Sequence, residues 1–290
     1  MGVAIEPQRS VVKGRWQRRD GRPAFCSELC RVFSYYLDPV LAILVPLSAN
    51  GSSLNAYIME FIMIGRYLAN GLGMLALIAV LVGLYLAFFY APADALQGDV
   101  QRIMYIHVPA AWVAFFAFFV VFISSLVYLW KRLPEADRLA FASAEIGVLF
   151  TALTLIAGSI WGKPTWGTWW TWDARLTTTA VLLVIYVGYL MLRSFVEEPE
   201  RRARLAALVG IVGFIDVPII YMSVLWFRTL HQPPSIQRGG ASMPETMLFT
   251  LLCNFVAYTL VYVFFLVKRV RIESLTDITE TLVAEKAVHD

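Results

Sequence analysis

Tryptophan and histidine carry the chemistry that this chain's sequence puts on offer. Five of its nine tryptophans, Trp161, Trp166, Trp169, Trp170 and Trp172, fall within twelve residues, and Asp173-Ala174-Arg175 follows at once. Gly162, Pro164 and Gly167 speak against a long regular helix over the first half of that stretch. If residues 166–172 coil, steps of 100° per residue put Trp166, Trp169, Trp170 and Trp172 on one arc of about 160°. That arc is a flat, rigid aromatic surface with few bonds to freeze when something binds. Indoles also gather at membrane interfaces, but such a belt explains one or two tryptophans at a helix end rather than five in a row. The expectation is a ligand platform.

Three histidines accompany it. His289 lies in the polar C-terminal stretch and reads as a solvated bystander. His107 directly precedes Val108-Pro109, and His231 sits in Thr229-Leu230-His231-Gln232-Pro233-Pro234. A lone histidine at a helix end is more often a satisfied polar group than a ligand, so its weight depends on where the elements place it. Cys26, Cys30 and Cys253 make neither a redox pair nor a zinc pattern and read as structural thiols.

The elements follow from composition. Hydrophobic residues make up 59% of the 290, charged residues 16%, and the net charge is +3. These values exclude an ordinary soluble domain and give no sign of a nucleic-acid partner. Six apolar segments, near 67–91, 108–130, 139–161, 176–196, 205–227 and 247–267, are long enough to cross about 30 Å of hydrocarbon. Backbone groups in lipid must bond within their own segment, so all six are expected as α-helices. The expected fold is an all-α integral membrane protein of six transmembrane helices, with membrane lipid as its solvent. Basic residues set its orientation. One side holds Arg66, Lys131, Arg132, Arg138, Arg193, Arg201, Arg202, Arg204, Lys268, Arg269 and Arg271; the other holds Arg102, Lys163, Arg175, Arg228 and Arg238. The richer side is the cytoplasm, so both termini are in and the tryptophan segment, 161–175 between helices three and four, lies on the outer face.

Residues 1–62 read as a poorly ordered N-terminal extension. Lys13, Arg15, Arg18, Arg19 and Arg22 show no helical period, the Val40–Val45 patch is far too short to span, and Gly51-Ser52-Ser53 reads as a linker. Met59 or Met63 would be a natural start for the apolar region. Residues 63–270 are expected as the membrane domain and 271–290 as a cytoplasmic tail.

With this topology the outer loops one, three and five carry His107, the tryptophan segment and His231. Imidazole is a common axial ligand of haem iron, and two can approach a porphyrin from opposite faces. The tryptophan platform suits a flat, mostly apolar macrocycle, and carboxylate side groups would want cations nearby. Arg102, Lys163, Arg175, Arg228 and Arg238 are the candidates, although for any one of them taken alone ordinary headgroup contact is the simpler account.

The run Trp161-Gly162-Lys163-Pro164-Thr165-Trp166-Gly167-Thr168-Trp169-Trp170-Thr171-Trp172-Asp173-Ala174-Arg175 resembles the WWD signature of haem-handling proteins. More narrowly it resembles haem exporter protein C of system I cytochrome c maturation. Ala91-Pro92-Ala93-Asp94, Gln97-Gly98, the segment from Arg102 to Ala111, and Pro218-Ile219-Ile220 through Gln232 are similar to that family too. The resemblance covers about residues 65–268. It implies a protein of the bacterial inner membrane that holds haem b at its periplasmic side. It also implies ABC transporter subunits, a small single-span helper and a periplasmic haem chaperone as partners. By motif, His107 and His231 would be the axial ligands, and Trp161, Trp166, Trp169, Trp170, Trp172 and Asp173 the platform. Related haem lyases continue the signature into Trp-Asp-Pro and have more helices, whereas this chain has Trp172-Asp173-Ala174-Arg175.

A haem carrier rather than an enzyme is therefore expected. A lyase attaching haem to apocytochrome thiols is the main alternative, and a haem permease a third. No nucleotide-binding loop is present, so ATP dependence would come from partners. Asp173, just before Ala-Arg-Leu-Thr, is a good N-cap for the fourth helix and reads as fixing the angle of the tryptophan arc. Glu145 lies near a helix end, within snorkelling reach of the interface. Asp216 sits deep in the fifth span, two residues before Pro218, where an acid costs about 2.5–3.5 kcal/mol on insertion scales. Ligand traffic and helix-to-helix hydrogen bonding account for it equally well.

Overall fold

The computed structural model describes the backbone of residues 51–227, 229–231, 236–237, 240–241 and 243–289, with most side chains from Tyr67 onward. The expectations for residues 1–50, for Cys26 and Cys30, and for the side chains of Arg228, Arg238 and His289 lie outside the described residues. The chain divides into two units, Met1–Ile62 and Met63–Asp290. Of the first, the described backbone begins at Gly51 and is helical, so Gly51-Ser52-Ser53 opens a helix instead of forming a linker.

The fold is nearly all helical, and the described residues include six stretches long and apolar enough to cross a membrane. These are Tyr67–Tyr90, Asp99–Lys131, Pro134–Trp166, Ala174–Phe195, Pro199–Trp226 and Glu245–Asp277. Helix α1 (Gly51–Tyr85) ends in a wider π turn, Leu86–Tyr90. A 3-10 segment, Asp99–Ile103, leads into α2 (Met104–Lys131), followed by α3 (Pro134–Trp166) and α4 (Ala174–Phe195). The fifth span is two helices, α5 (Pro199–Phe214) and α6 (Asp216–Trp226), and α7 runs from Glu245 to His289. The backbone of the expected C-terminal tail thus continues α7 as helix. A two-residue ladder pairs Ile236–Gln237 with Gly240–Ala241.

Helices α2 and α3 form the centre. Gly147 leaves room for the Phe118 ring, which stacks on Tyr186 of α4 at 3.7 Å between centroids. Polar groups in this apolar setting find partners across helices, since water is not there to satisfy them. Ser143 Oγ reaches the Ala117 carbonyl and the Tyr262 hydroxyl, both at 2.8 Å, and so links α3 to α2 and α7. Tyr186 donates to the Gly210 carbonyl at 3.0 Å, and Asn254 Nδ2 donates to the Gly83 carbonyl at 3.2 Å. Arg193 holds both carboxylate oxygens of Asp137, at 2.6 and 2.8 Å. Glu145 pairs with Arg269 of α7, an interhelical tie in keeping with a structural role near the helix end.

Two local expectations change. The tryptophan segment divides the opposite way: residues 161–166 are the last turns of α3, and 167–173 are irregular. Pro164 sits close enough to the helix end that the bond it forfeits is one of few left to lose. Gly167 then ends the helix in the left-handed region, at φ 79°, its N–H donating to the Lys163 carbonyl at 3.0 Å. In the fifth span, Pro218 has no N–H for the Phe214 carbonyl, and α5 stops at Phe214. Asp216 therefore opens α6, where a carboxylate also meets the positive end of the helix dipole. Its Oδ2 is buried without a hydrogen-bond partner among the described residues.

Candidate functional site

The start of α2, the later turns of α3, the start of α4, Ile220 of α6 and His231 beyond that helix line a narrow, partly open cavity of about 50 Å³. Both His107 and His231 line it, with Trp166 and Arg175 between polar and apolar groups that include Thr154, Gly158, Thr179, Phe115 and Ile220. Residues 124 positions apart in the sequence are thereby brought to one space.

His107 is seated on α3. Its Nδ1 lies 3.0 Å from the Thr154 carbonyl, which can only accept, so Nδ1 carries the proton and Nε2 keeps its lone pair. Gly158, one turn further along α3, makes that approach feasible: a Cβ there would lie 2.9 Å from Cε1 of the ring. Trp161 meets the imidazole edge-on at 5.8 Å between centroids. The indole is itself tied, its Nε1 donating to Gln97 Oε1 at 2.8 Å. Gln97 stands in a turn that Asp94 builds, with Oδ1 accepting from the N–H groups of Leu96 and Gln97, and Gly98 closes the turn at φ 59°. Loop one therefore buttresses Trp161, and Trp161 buttresses His107.

His231 belongs to the irregular chain after α6. Trp166 meets it edge-on at 5.0 Å between ring centroids. Asp173 caps α4, Oδ1 accepting from the Arg175 N–H at 2.9 Å, as the sequence suggested. Its Oδ2 also accepts from the Leu230 N–H at 2.8 Å, which pins the residue beside His231. The imidazole Nδ1 stays 3.6 Å from Oδ1, too far for a hydrogen bond. Burial first, and then the Arg175 guanidinium, hold the His231 imidazole below its ordinary pKa against the pull of Asp173. The ring is consequently neutral near pH 7, the form in which imidazole ligates a metal.

The remaining tryptophans do not make a single flat arc, because residues 167–172 do not coil. Trp170 and Trp172 meet at 84°, edge to face, and Trp172 is 83% exposed. Trp169 is also exposed, and the Thr168 hydroxyl shapes the turn by donating to the Trp170 carbonyl at 3.0 Å. Among the expected cations, Arg175 lines the cavity. Arg102 binds Asp99 and the carbonyls of Ala87 and Ala91, and so closes the end of the first span. Lys163 reaches the Gly167 carbonyl at 3.1 Å and reinforces the helix cap.

Gln97, Thr154, Gly158 and the Leu230 N–H are parts that residue-type reasoning does not single out. A glycine-serine pair inside an otherwise apolar helix, Gly158-Ser159, is the one local sign that something packs closely there.

A family description, heme exporter protein C, matches residues 54–285. The heme exporter protein C of Bradyrhizobium diazoefficiens is 47% identical over 187 residues, which is 64% of this chain and 71% of that protein. That of Haemophilus influenzae is 38% identical over 204 residues, 70% of this chain and 83% of that one. A cytochrome c biosynthesis ccmC-like mitochondrial protein of Marchantia polymorpha is 41% identical over 177 residues, 61% and 75% of the two chains.

Proposed function

The chain belongs to the heme exporter protein C family, and on that premise we propose that it is a haem carrier of the bacterial inner membrane. It holds haem b at the periplasmic face and delivers it to a periplasmic haem chaperone for c-type cytochrome biogenesis. One observation supports this above the others: His107 and His231, from opposite ends of the membrane domain's sequence, line one cavity. Haem is cargo here, and the donor set suits it. Two neutral imidazoles with free lone pairs can take both axial positions, aromatic edges from Trp161 and Trp166 flank them, and Arg175 offers a guanidinium to a carboxylate.

Each residue then has a role. His107 and His231 ligate the iron, Thr154 and Gly158 fix the ring of His107, and Asp173 fixes the chain that carries His231. Trp169, Trp170 and Trp172 offer aromatic surface to the macrocycle or to the chaperone that receives it. Ala174 after Trp172-Asp173, together with six spans, favours the carrier over a haem lyase. ATP-driven steps belong to ABC transporter subunits, with a small single-span protein as helper.

The test is the absorption spectrum of detergent-purified protein. The intact protein should show six-coordinate low-spin haem. His107→Ala and His231→Ala should each bind less haem with that spectrum lost, imidazole should partly restore it, and the double variant should hold very little. Should both single variants keep an unchanged low-spin spectrum, the iron has other ligands and the proposal fails.

A further inference from the structure

The two sides of the cavity are built unequally. His107 stands within a helix, its Nδ1 is committed to the Thr154 carbonyl, its ring lies against the α3 backbone at Gly158, and Trp161 closes the side. Trp161 cannot easily yield, since Gln97 holds its indole N–H. The ring is thus oriented by three neighbours on α3, one of them braced from loop one, before any metal arrives. His231 stands on irregular chain. Both oxygens of Asp173 already accept backbone N–H groups, from Arg175 and Leu230. Nδ1 of His231 is left buried without a hydrogen-bond partner among the described residues. The backbone beside it is held, and Trp166 meets the ring edge-on at 5.0 Å, but no hydrogen bond fixes its Nδ1.

A macrocycle held between two imidazoles can enter or leave the narrow cavity only if at least one of its walls withdraws. The wall that moves more readily is the one whose ligand has fewer ties. Resting on the carrier function, we propose that the two histidines are unequal ligands, His107 the fixed one and His231 the one that lets go as haem is taken up and passed on. The exchange is redox-neutral. The iron–nitrogen bond to His231 breaks with its electron pair left on the nitrogen, and a lone-pair donor of the acceptor, a nitrogen or an oxygen, takes the vacated coordination position.

Carbon monoxide tests this. On the dithionite-reduced, haem-loaded protein it replaces one axial ligand, and the Fe–C and C–O stretching frequencies then report the ligand that stays. The adduct of the intact protein should match that of His231→Ala, in which only His107 is available, and should differ from that of His107→Ala. A match to His107→Ala, or an even mixture of both signatures, overturns the proposal. Low-spin spectra unchanged in both single variants would remove the ligand assignment itself and the inference with it. A second measurement needs no cargo and covers the case of a variant that binds none. In the haem-free protein labelled with ¹⁵N-histidine, His107 should give one Nδ1–H tautomer with a slowly exchanging proton, while His231 should show averaging. The reverse pattern, or equal behaviour of the two rings, overturns the proposal.

Discussion

Replacing Gly158 by Ala adds one carbon atom at the point where α3 receives His107. That Cβ would lie 2.9 Å from Cε1 and 3.3 Å from Nδ1 of the ring, whereas carbon atoms rest at about 3.5–4.0 Å. The ring must withdraw from α3 by about 0.6 Å. The same movement lengthens the 3.0 Å contact between Nδ1 and the Thr154 carbonyl beyond hydrogen-bonding distance. Overpacking and a lost hydrogen bond cost the fold about 1–3 and about 1 kcal/mol. Alanine returns about 1 kcal/mol through its better helix propensity. The net cost to the fold is about 1–3 kcal/mol, which lowers the unfolding temperature but leaves the native helices formed, so far-UV circular dichroism and elution volume should match the parent protein. Binding should weaken by a comparable amount, because removing a group that orients a metal ligand typically costs about 10–100-fold in affinity. That is about 1.4–2.7 kcal/mol, readable as a rise in Kd when haem is titrated into the purified apoprotein. The low-spin bands should weaken in step. An unchanged Kd and spectrum would refute the claim that the α3 seat sets the competence of His107.

Four further outcomes rest on the same geometry. Gln97→Leu strands the indole N–H of Trp161 at a cost of about 1–3 kcal/mol, and should lower both the thermal unfolding temperature and retained haem. Trp169→Leu with Trp170→Leu keeps apolar area but removes aromatic surface; normal membrane accumulation with most bound haem lost is expected, and normal haem content would support an interfacial belt. Reporter fusions after Trp166 and after His231 should be active only outside the cytoplasm, and fusions after Pro134 and Pro199 only inside. Finally, an imidazole kept below its ordinary pKa binds fewer protons in the native than in the unfolded chain. Stability of the haem-free protein should therefore be full above about pH 6.5, the unfolded value, and decline as pH falls below it. His231→Gln should flatten that decline in pH-dependent unfolding.

How far the sequence reaches depends on the scale of the question. Span number and type are written in long apolar runs, and six helical spans appear among the described residues where those runs lie because lipid allows no other use of the backbone. The cap at Asp173 is equally legible, since an Asp before a helical pattern acts over two residues. The order within the tryptophan segment is not. Pro164 and Gly162 carry a breaker's prior, but their effect depends on how much helix remains after them, and here Gly167 ends it one turn later. Pro218 points to a distortion in the fifth span, yet the break falls four residues earlier, at the carbonyl that lost its donor. Histidine placement follows from topology, whereas the seat at Thr154 and Gly158 depends on two helices meeting face to face. No spacing within one helix reports that.

The carboxylate of Asp173 has one oxygen on α4 and the other on the chain that carries His231. It works as a rigid coupling between two levers. A protein that grips the exposed Trp169 or Trp172 and turns that strand rotates Asp173 with it, and Leu230 must move too or its hydrogen bond must break. Torque applied at the surface therefore reaches the imidazole next to Leu230 without direct contact, so a grip on the exposed indoles and a displacement of that ring can be one mechanical act.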